Sequence, residues 1–362
     1  MREYKFTVRQ ACFFYIAFCA VSKTLFLTAV ITLYADRYAW LSVLLNYAAN
    51  GLIIFSTLLI SERFPGKDLY GILEYNLGKP FAKTLFALFA LFLFLSAFVP
   101  VIEQKQFIQR TLYDNSPMLL PYFPFFIFSA YFCYLGLKAV ARCSDIFIWV
   151  TAAGIVGLLA LTFPNVDLTE LLPLKTNAAS IFSASAKSAL WHTEGLYSLF
   201  LIGGIKGEKL AKTKIMSAFS ISAALSVIYV ASIYCEFGPL TVRQIFPPVK
   251  MGMFSVALIN IGRIDYVFAI MLAASNLFSA CLPLVFSTMC VGKVFGLKDL
   301  KAAAIIINAI SYAVILYTEK NFVPSLHFLE NYYLYPLMIV TVLPLSVFIF
   351  VKGRSNNEKI RT

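Results

Sequence analysis

The sequence has 362 residues, of which 60% are hydrophobic and only 13% are charged. An ordinary globular protein has roughly 45–50% apolar and about 25% charged residues. A soluble core cannot bury this much apolar surface, so the composition predicts an integral membrane protein and excludes a soluble enzyme. The net charge of +12 raises the possibility of nucleic-acid binding, which the placement of the charges along the chain has to decide.

Ten stretches are long and apolar enough to cross a bilayer, which takes about 20 residues of helix. No polar or Gly/Ser-rich linker divides the chain, so we expect residues 1–362 to form a single all-α transmembrane domain of about ten helices. The predicted spans are Ala11–Tyr34, Tyr38–Ser61, Thr84–Ile102, Ser116–Leu137, Ile146–Val166, Ser188–Ile205, Ile215–Cys235, Tyr266–Gly292, Ala302–Thr318 and Asn331–Val351.

The Lys and Arg residues are divided unequally between the two sides that these spans define. Twenty fall on the side of the N-terminus and nine on the other side, while Lys23 lies within the first span. Because cytoplasmic segments are enriched in positive charge, both termini are expected to be cytoplasmic. Topology and anionic lipid headgroups therefore explain the basic charge, and the chain has no basic stripe with interleaved aromatic residues that would indicate nucleic-acid binding.

Two longer connections, Glu62–Lys83 and Glu236–Asp265, follow the second and the seventh spans. They occupy equivalent places if the chain consists of two halves of five spans, and an odd number of spans makes the halves inverted in the membrane. We therefore predict a first repeat over 8–170 and a second over 180–352, followed by a cytoplasmic tail over 353–362. The uncharged stretch Met251–Gly262 is too short to cross and predicts an interfacial or re-entrant helix.

Two ionisable residues, Lys23 and Glu194, lie near the middle of predicted spans. Each costs about 2.5–3.5 kcal/mol to insert, so such residues usually have a function. They have opposite charges and lie in the first helix of each proposed half, the helix that is broken at the midplane in inverted-repeat transporters. We expect both residues to face one central cavity.

Polar residues on the same and neighbouring spans are further candidates for a ligand-binding site in this cavity. The chain has no metal-ligand spacing, phosphate loop or nucleophile triad, so no catalytic, metal or cofactor site is expected. The candidate ligand-binding residues are Ser22, Lys23, Thr24, Ser96, Trp191, His192, Thr193, Glu194, Gly195, Ser275, Asn276 and Ser279.

Alternative interpretations of these residues remain open. Lys23 and Glu194 could be a structural pair whose charges cancel, or the Lys23 ammonium could permanently replace a bound cation. His192 could be an interior histidine with a hydrogen-bonded ring, and the hydroxyl and amide groups of the eighth span could serve helix packing.

Five segments, in order along the chain, resemble conserved segments of one known family. They are Glu62–Leu69 with Leu77–Lys79, Gly136–Arg142, Phe163–Asp167 with Leu171–Pro173, Phe246–Pro247, and Phe295–Asp299. The sequence is thereby similar to the B subunits of GerA-type spore germinant receptors, also called endospore germination permeases. The similarity covers nearly the whole chain.

The resemblance implies the amino acid–polyamine–organocation superfamily, a LeuT-like five-plus-five inverted repeat, and a nutrient-sensing subunit in the spore inner membrane. The nutrient would commonly be an amino acid, and the partners would be an A-type membrane subunit and a C-type lipoprotein. In the sixth helix the family's F-P-F-G-E segment corresponds to Leu190–Glu194, where only Glu194 is retained, and Lys23 replaces a small residue of the family.

Three functions are compatible with the sequence. The first is a germinant-sensing receptor subunit. The second is a proton-coupled amino-acid permease, in which Glu194 or His192 carries the proton and Lys23 replaces a coupling ion. The third is a scaffold that binds no ligand, in which the charge pair stabilises the fold.

Overall fold

The computed structural model of the chain describes residues 5–112, 119–172, 177–205, 211–244, 246–253, 265–318 and 322–350. These residues form sixteen α-helices and no strand. In chain order the helices are α1 (Val8–Val21), α2 (Leu27–Ala35), α3 (Ala39–Arg63), α4 (Leu69–Leu77), α5 (Lys79–Ser96), α6 (Phe98–Leu112), α7 (Leu119–Leu135), α8 (Leu137–Thr162), α9 (Ala178–Lys187), α10 (Glu194–Phe200), α11 (Ala211–Phe237), α12 (Pro247–Met253), α13 (Asp265–Phe295), α14 (Lys301–Thr318), α15 (Phe322–Tyr332) and α16 (Leu334–Phe350).

Each predicted span overlaps a helix or a pair of consecutive helices. The described residues contain five helical stretches that are long and apolar enough to cross a membrane, and four shorter apolar helices. The long stretches are Leu27–Arg63, Lys79–Arg110, Leu137–Asn165, Ala211–Arg243 and Tyr266–Phe295. Among the described residues, the longest interruptions within a span lie between α1 and α2, in the first span, and between α9 and α10, at the sixth.

The predicted boundaries of three spans were wrong. The sixth begins at Ala178 and not at Ser188, because α9 is rich in serine and ends on Lys187, so it resembles a polar connection in sequence. The fifth begins at Leu137 and not at Ile146, since its first turns include Lys138, Arg142 and Asp145. The third does not end at Ile102 but continues through α6, and Lys105, which we assigned to an exterior loop, is a buried residue of that helix.

Helices α1 and α13 form the centre of the packing. Helix α1 packs against α8 and α11, and α13 packs against α5 and α8. Helix α10 packs against α3, and all seven of its residues are buried. Since the residues of α10 and of the break before it, 189–193, are also buried, both lie inside the bundle.

Helices α4 and α12 lie in the two long connections at the equivalent places of the two halves. Helix α4 follows α3, and α12 follows α11. Of the predicted interfacial or re-entrant stretch Met251–Gly262, the last three residues of α12 are described by the structure, while 254–262 lie outside the described residues, as do 353–362 of the predicted tail. The boundaries of the two repeats stay a prediction.

Residues assigned to one side of the membrane come together in the structure. Lys5 precedes the first predicted span, Lys138 follows the fourth, and Lys293 and Lys298 both follow the eighth, and all four line one cavity. Among the residues assigned to the other side, Arg37 donates a hydrogen bond to the carbonyl of Leu172, and Lys187 donates one to Asn331 (2.9 Å). The alternation of sides therefore agrees with these contacts, while the assignment of the first group to the cytoplasm stays a prediction.

Candidate ligand-binding site

The first span is interrupted between α1 and α2, at Ser22–Phe26. The segment contains no Gly or Pro, so the interruption depends on side chains that satisfy the freed backbone groups. Thr24 Oγ1 donates to the carbonyl of Val21 (2.7 Å), in addition to the turn bond from the Thr24 amide (3.0 Å). From outside the span, Tyr47 donates to the carbonyl of Cys19 (2.8 Å) and Tyr229 to that of Thr24 (3.1 Å).

The sixth span is interrupted between α9 and α10. A short 3₁₀ helix, Ala189–Trp191, is followed by two non-helical residues before α10 begins at Glu194. The amide of Gly195 donates to Asn50 Oδ1 of α3 (2.8 Å), and a Cβ atom on Gly195 would lie only 2.8 Å from that oxygen. Glycine at this position therefore permits the close approach of α3 to the break.

The two breaks are joined by an ion pair between Lys23 and Glu194. Lys23 Nζ donates to Glu194 Oε1, to the carbonyl of Trp191 (2.5 Å) and to Ser22 Oγ (2.8 Å). Both charged side chains have no exposed surface. An ammonium group has three N–H donors, and the three acceptors match them, so this charge is fully hydrogen-bonded inside the bundle.

Beside the ion pair, a cavity of about 40 Å³ lies between the breaks and helices α5, α6 and α13. A cavity needs about 10–15 Å³ to hold a water molecule, and one that binds benzene has about 150 Å³, so this cavity has room for a few waters and is smaller than such a ligand cavity. Its described lining residues are Phe18, Ser22, Ser96, Val99, Pro100, Glu103, Leu190, Trp191, Thr193, Tyr197, Asn276, Ser279, Pro283 and Tyr333.

Six of the twelve candidate residues line this cavity. They are Ser22, Ser96, Trp191, Thr193, Asn276 and Ser279. Their side chains come from both breaks, from α5 and from α13, which are far apart in the sequence. The structure thus brings them to one place, and their role in binding a ligand stays a prediction.

The other six candidates are buried next to the cavity but are not among its described lining residues. Lys23 and Glu194 pair with each other, and Thr24 Oγ1 accepts from Asn276 (2.8 Å). His192 forms a hydrogen bond with the carbonyl of Ser188 (2.9 Å), and its ring stands edge-on to Tyr47. Gly195 contacts Asn50, and Ser275 is fully buried on α13.

Glu103 of α6 is a cavity residue that the sequence did not single out. Its side chain is buried, with a relative exposure of 4%, and its Oε1 accepts a hydrogen bond from Trp191 Nε1 (2.9 Å). We missed it because the apolar run of the third span ends at Ile102, directly before Glu103. The signal available was the preceding Pro100, since proline ends the helical hydrogen bonding of α5 and lets a second helix begin.

A second and larger cavity, of about 600 Å³, lies at the C-terminal end of α10. Its charged lining residues are Lys5, Asp68, Lys138, Lys293, Lys298 and Asp299. Asp68 pairs with Lys293 (2.5 Å). This cavity contains none of the candidate residues, so the small central cavity is the candidate site.

A bundle of apolar helices, with a polar cavity between two helices broken at equivalent places of two halves, defines an integral membrane protein built like a transporter. The sequence profile of a family described as "Spore germination protein" matches residues 5–323. The chain belongs to this family, as the resemblance indicated. A comparison with curated proteins returned no match.

Solved structures of transporters have a similar fold. MhsT in complex with L-phenylalanine is 18% identical, with a TM-score of 0.64, over 93% of this chain and 88% of that one. A manganese transporter from Eremococcus coleocola, in complex with an aromatic bis-isothiourea compound, is 11% identical, with a TM-score of 0.54, over 91% and 78% of the two chains. At these identities the similarity shows the fold, which is the predicted LeuT-like membrane fold.

Proposed function

We propose that the chain is the nutrient-sensing transmembrane subunit of a spore germinant receptor. The observation that supports this best is the family membership together with a polar cavity placed between two broken helices. The nutrient would be a small molecule, and we favour an amino acid because MhsT, which has a similar fold, is known in complex with L-phenylalanine.

The small volume of the cavity suggests how a signal would arise. A ligand larger than about 40 Å³ has to separate the helices that surround the cavity. It shifts the protein toward the separated state only by as much as it binds that state more tightly. In the proposed receptor, the shift passes to an A-type membrane subunit and a C-type lipoprotein, and it takes place in the inner membrane of the spore, with both termini on the side of the spore core.

A proton-coupled amino-acid permease is the second candidate, because the solved structures with this fold are transporters. Glu194 or His192, or the cavity residue Glu103, would then carry the proton. A scaffold subunit without a ligand is the third candidate, and it is supported by the fully satisfied Lys23 ammonium.

Germination of spores that lack this chain distinguishes the three functions. We expect loss of the response to one nutrient among single amino acids, sugars and nucleosides, with unchanged uptake in vegetative cells and recovery on complementation. An unchanged germination profile with lost amino-acid uptake would instead establish the permease. Loss of the response in the double variant Lys23→Met, Glu194→Gln, with the protein still present in the membrane, would rule out the scaffold, which needs only a neutral pair.

A further inference from the structure

The carboxylates of Glu194 and Glu103 are both buried and differ in their partners. Glu194 is paired with Lys23, whereas Glu103 has no ion pair among the described residues and accepts one hydrogen bond from the Trp191 indole. Glu103 lines the central cavity and Glu194 does not. Both side chains are more than nine-tenths buried.

Lys23 already occupies one oxygen of Glu194 and the Trp191 carbonyl at the break of the sixth span. Lys23 uses its three donors on Ser22 Oγ, the Trp191 carbonyl and Glu194 Oε1. The second oxygen of Glu194 has no hydrogen-bond partner among the described residues, but it is enclosed with no exposed surface. A ligand ammonium group at this end of the cavity would also be repelled by Lys23, because like charges in a buried site are weakly screened.

Glu103, unlike Glu194, has no ion pair among the described residues. An ionised carboxylate in a dry interior is unfavourable unless a positive charge and hydrogen-bond donors compensate it. The Trp191 indole supplies one donor, and a cation inside the cavity would supply the charge. Ser96, Asn276 and Ser279 line the same cavity and offer hydrogen-bonding groups to the rest of a ligand.

We propose that Glu103 binds the ammonium group of the ligand, while Lys23 acts as a built-in cation that neutralises Glu194. The proposal rests on the ligand-sensing function above, and it assigns the ligand to the organic ammonium compounds. The selectivity of the site for amines then comes from α6, and the charge pair between the breaks holds the two broken helices together.

Binding to the purified full-length chain tests this assignment. The probes are the twenty protein amino acids, scored by the shift of the unfolding temperature. The strongest one is then compared with the amine that lacks its carboxylate and the acid that lacks its ammonium group. For L-phenylalanine these are 2-phenylethylamine and 3-phenylpropionate. We expect the amino acid and the amine to stabilise the chain and the acid to have no effect.

The variant Glu103→Gln keeps a carbonyl oxygen that accepts the Trp191 hydrogen bond and removes only the charge. Loss of one partner of a buried charge pair weakens binding strongly, so we expect the dissociation constant of the amine to rise at least about tenfold. Glu103→Asp keeps the charge on a shorter side chain and should bind between wild type and Glu103→Gln. Glu62→Gln makes the same chemical change at an exposed residue and should bind like wild type.

Three results would overturn the proposal: no amino acid stabilises the chain, the acid binds as well as the amine, or Glu103→Gln binds the amine unchanged. The last result would mean that Glu103 is protonated and acts only as a hydrogen-bonding group. Failure of the germinant-sensing function appears separately, as normal germination of spores that lack the chain, and does not depend on this binding measurement.

Discussion

The two helix breaks satisfy their freed backbone groups by different means. At the break between α1 and α2, the carbonyls of Cys19 and Thr24 accept from Tyr47 of α3 and Tyr229 of α11, two helices that are unbroken at these positions. At the break between α9 and α10, the Trp191 carbonyl accepts from Lys23, which belongs to the other break. The first break is therefore bonded to α3 and α11, whereas the second is bonded to α3 through the Gly195 amide and to Lys23 of the first break.

This difference predicts which helix moves when the protein changes conformation. Any movement that separates the two breaks removes the hydrogen bond of the Trp191 carbonyl and the partner of Glu194 at the same time. The backbone bonds to Tyr47 and Tyr229 can remain intact during such a movement. We therefore expect α10 to be the part that responds to a ligand, while the first break stays in place.

The largest expected effect comes from breaking the pair that joins the two regions. Lys23→Met or Glu194→Gln alone leaves a buried charge without its partner, which destabilises a protein by about 3–5 kcal/mol. We expect each single variant to lower the unfolding temperature strongly, and the double variant to recover most of the loss because no charge remains. Thermal unfolding of the purified chain, analysed as a double-mutant cycle, measures the coupling.

The exposed pair of Glu62 and Lys212 is the matched control for this cycle. Its charged atoms lie 3.2 Å apart, and both side chains are partly exposed to solvent. Exposed pairs contribute about 0–1 kcal/mol, so Glu62→Gln and Lys212→Met should change the unfolding temperature little. Equal losses at the surface pair and at Lys23 and Glu194 would contradict the joining role of the buried pair.

The positions of both breaks could be predicted from the sequence, because Lys23 and Glu194 are costly residues in otherwise apolar spans. The means by which the breaks are satisfied could not. Tyr47, Asn50 and Tyr229 lie in spans where a hydroxyl or amide group indicates ordinary helix packing, and only the packing of α3 and α11 brings these groups to the freed backbone.

Only some of the residues that line the cavity could be predicted from the sequence. Residues such as Ser96 and Asn276 were found because they are polar within apolar helices. Glu103 was missed because a carboxylate at the end of an apolar run is expected in the headgroup region. Its burial follows from the continuation of the third span through α6, which hydropathy alone does not show.

Added side-chain volume at the break between α9 and α10 should destabilise the protein. A Cβ atom on Gly195 would lie 2.8 Å from Asn50 Oδ1 and 2.9 Å from Ile53 Cγ2. Overpacking of an interior costs about 1–3 kcal/mol, so Gly195→Ala should lower the unfolding temperature clearly and move α10 away from α3. Gly51→Ala, whose Cβ meets only the ring of Phe219 at 3.3 Å, is the control and should have little effect. Comparable behaviour of the two variants would show that Gly195 is not needed for close packing.

The smallest expected effects lie at the first break. Tyr47→Phe and Tyr229→Phe each keep the ring and remove the hydroxyl that satisfies a carbonyl of α1 or the break. Leaving a buried carbonyl without its donor costs about 1–3 kcal/mol, less than the loss of a buried charge partner, so each variant should unfold at a lower temperature. Tyr317→Phe, at a side chain that is 82% exposed, should not change it.

The ligand affinity of Tyr47→Phe and Tyr229→Phe tests whether the first break stays in place when a ligand binds. If the first break stays in place when a ligand binds, both states contain the bonds from Tyr47 and Tyr229, and their loss affects the two states equally. A change that destabilises both states equally shifts no equilibrium between them, so the dissociation constant should remain that of wild type. Weaker or tighter binding in Tyr229→Phe would mean that the bond to the Thr24 carbonyl breaks or strengthens on binding, and that the first break moves as well.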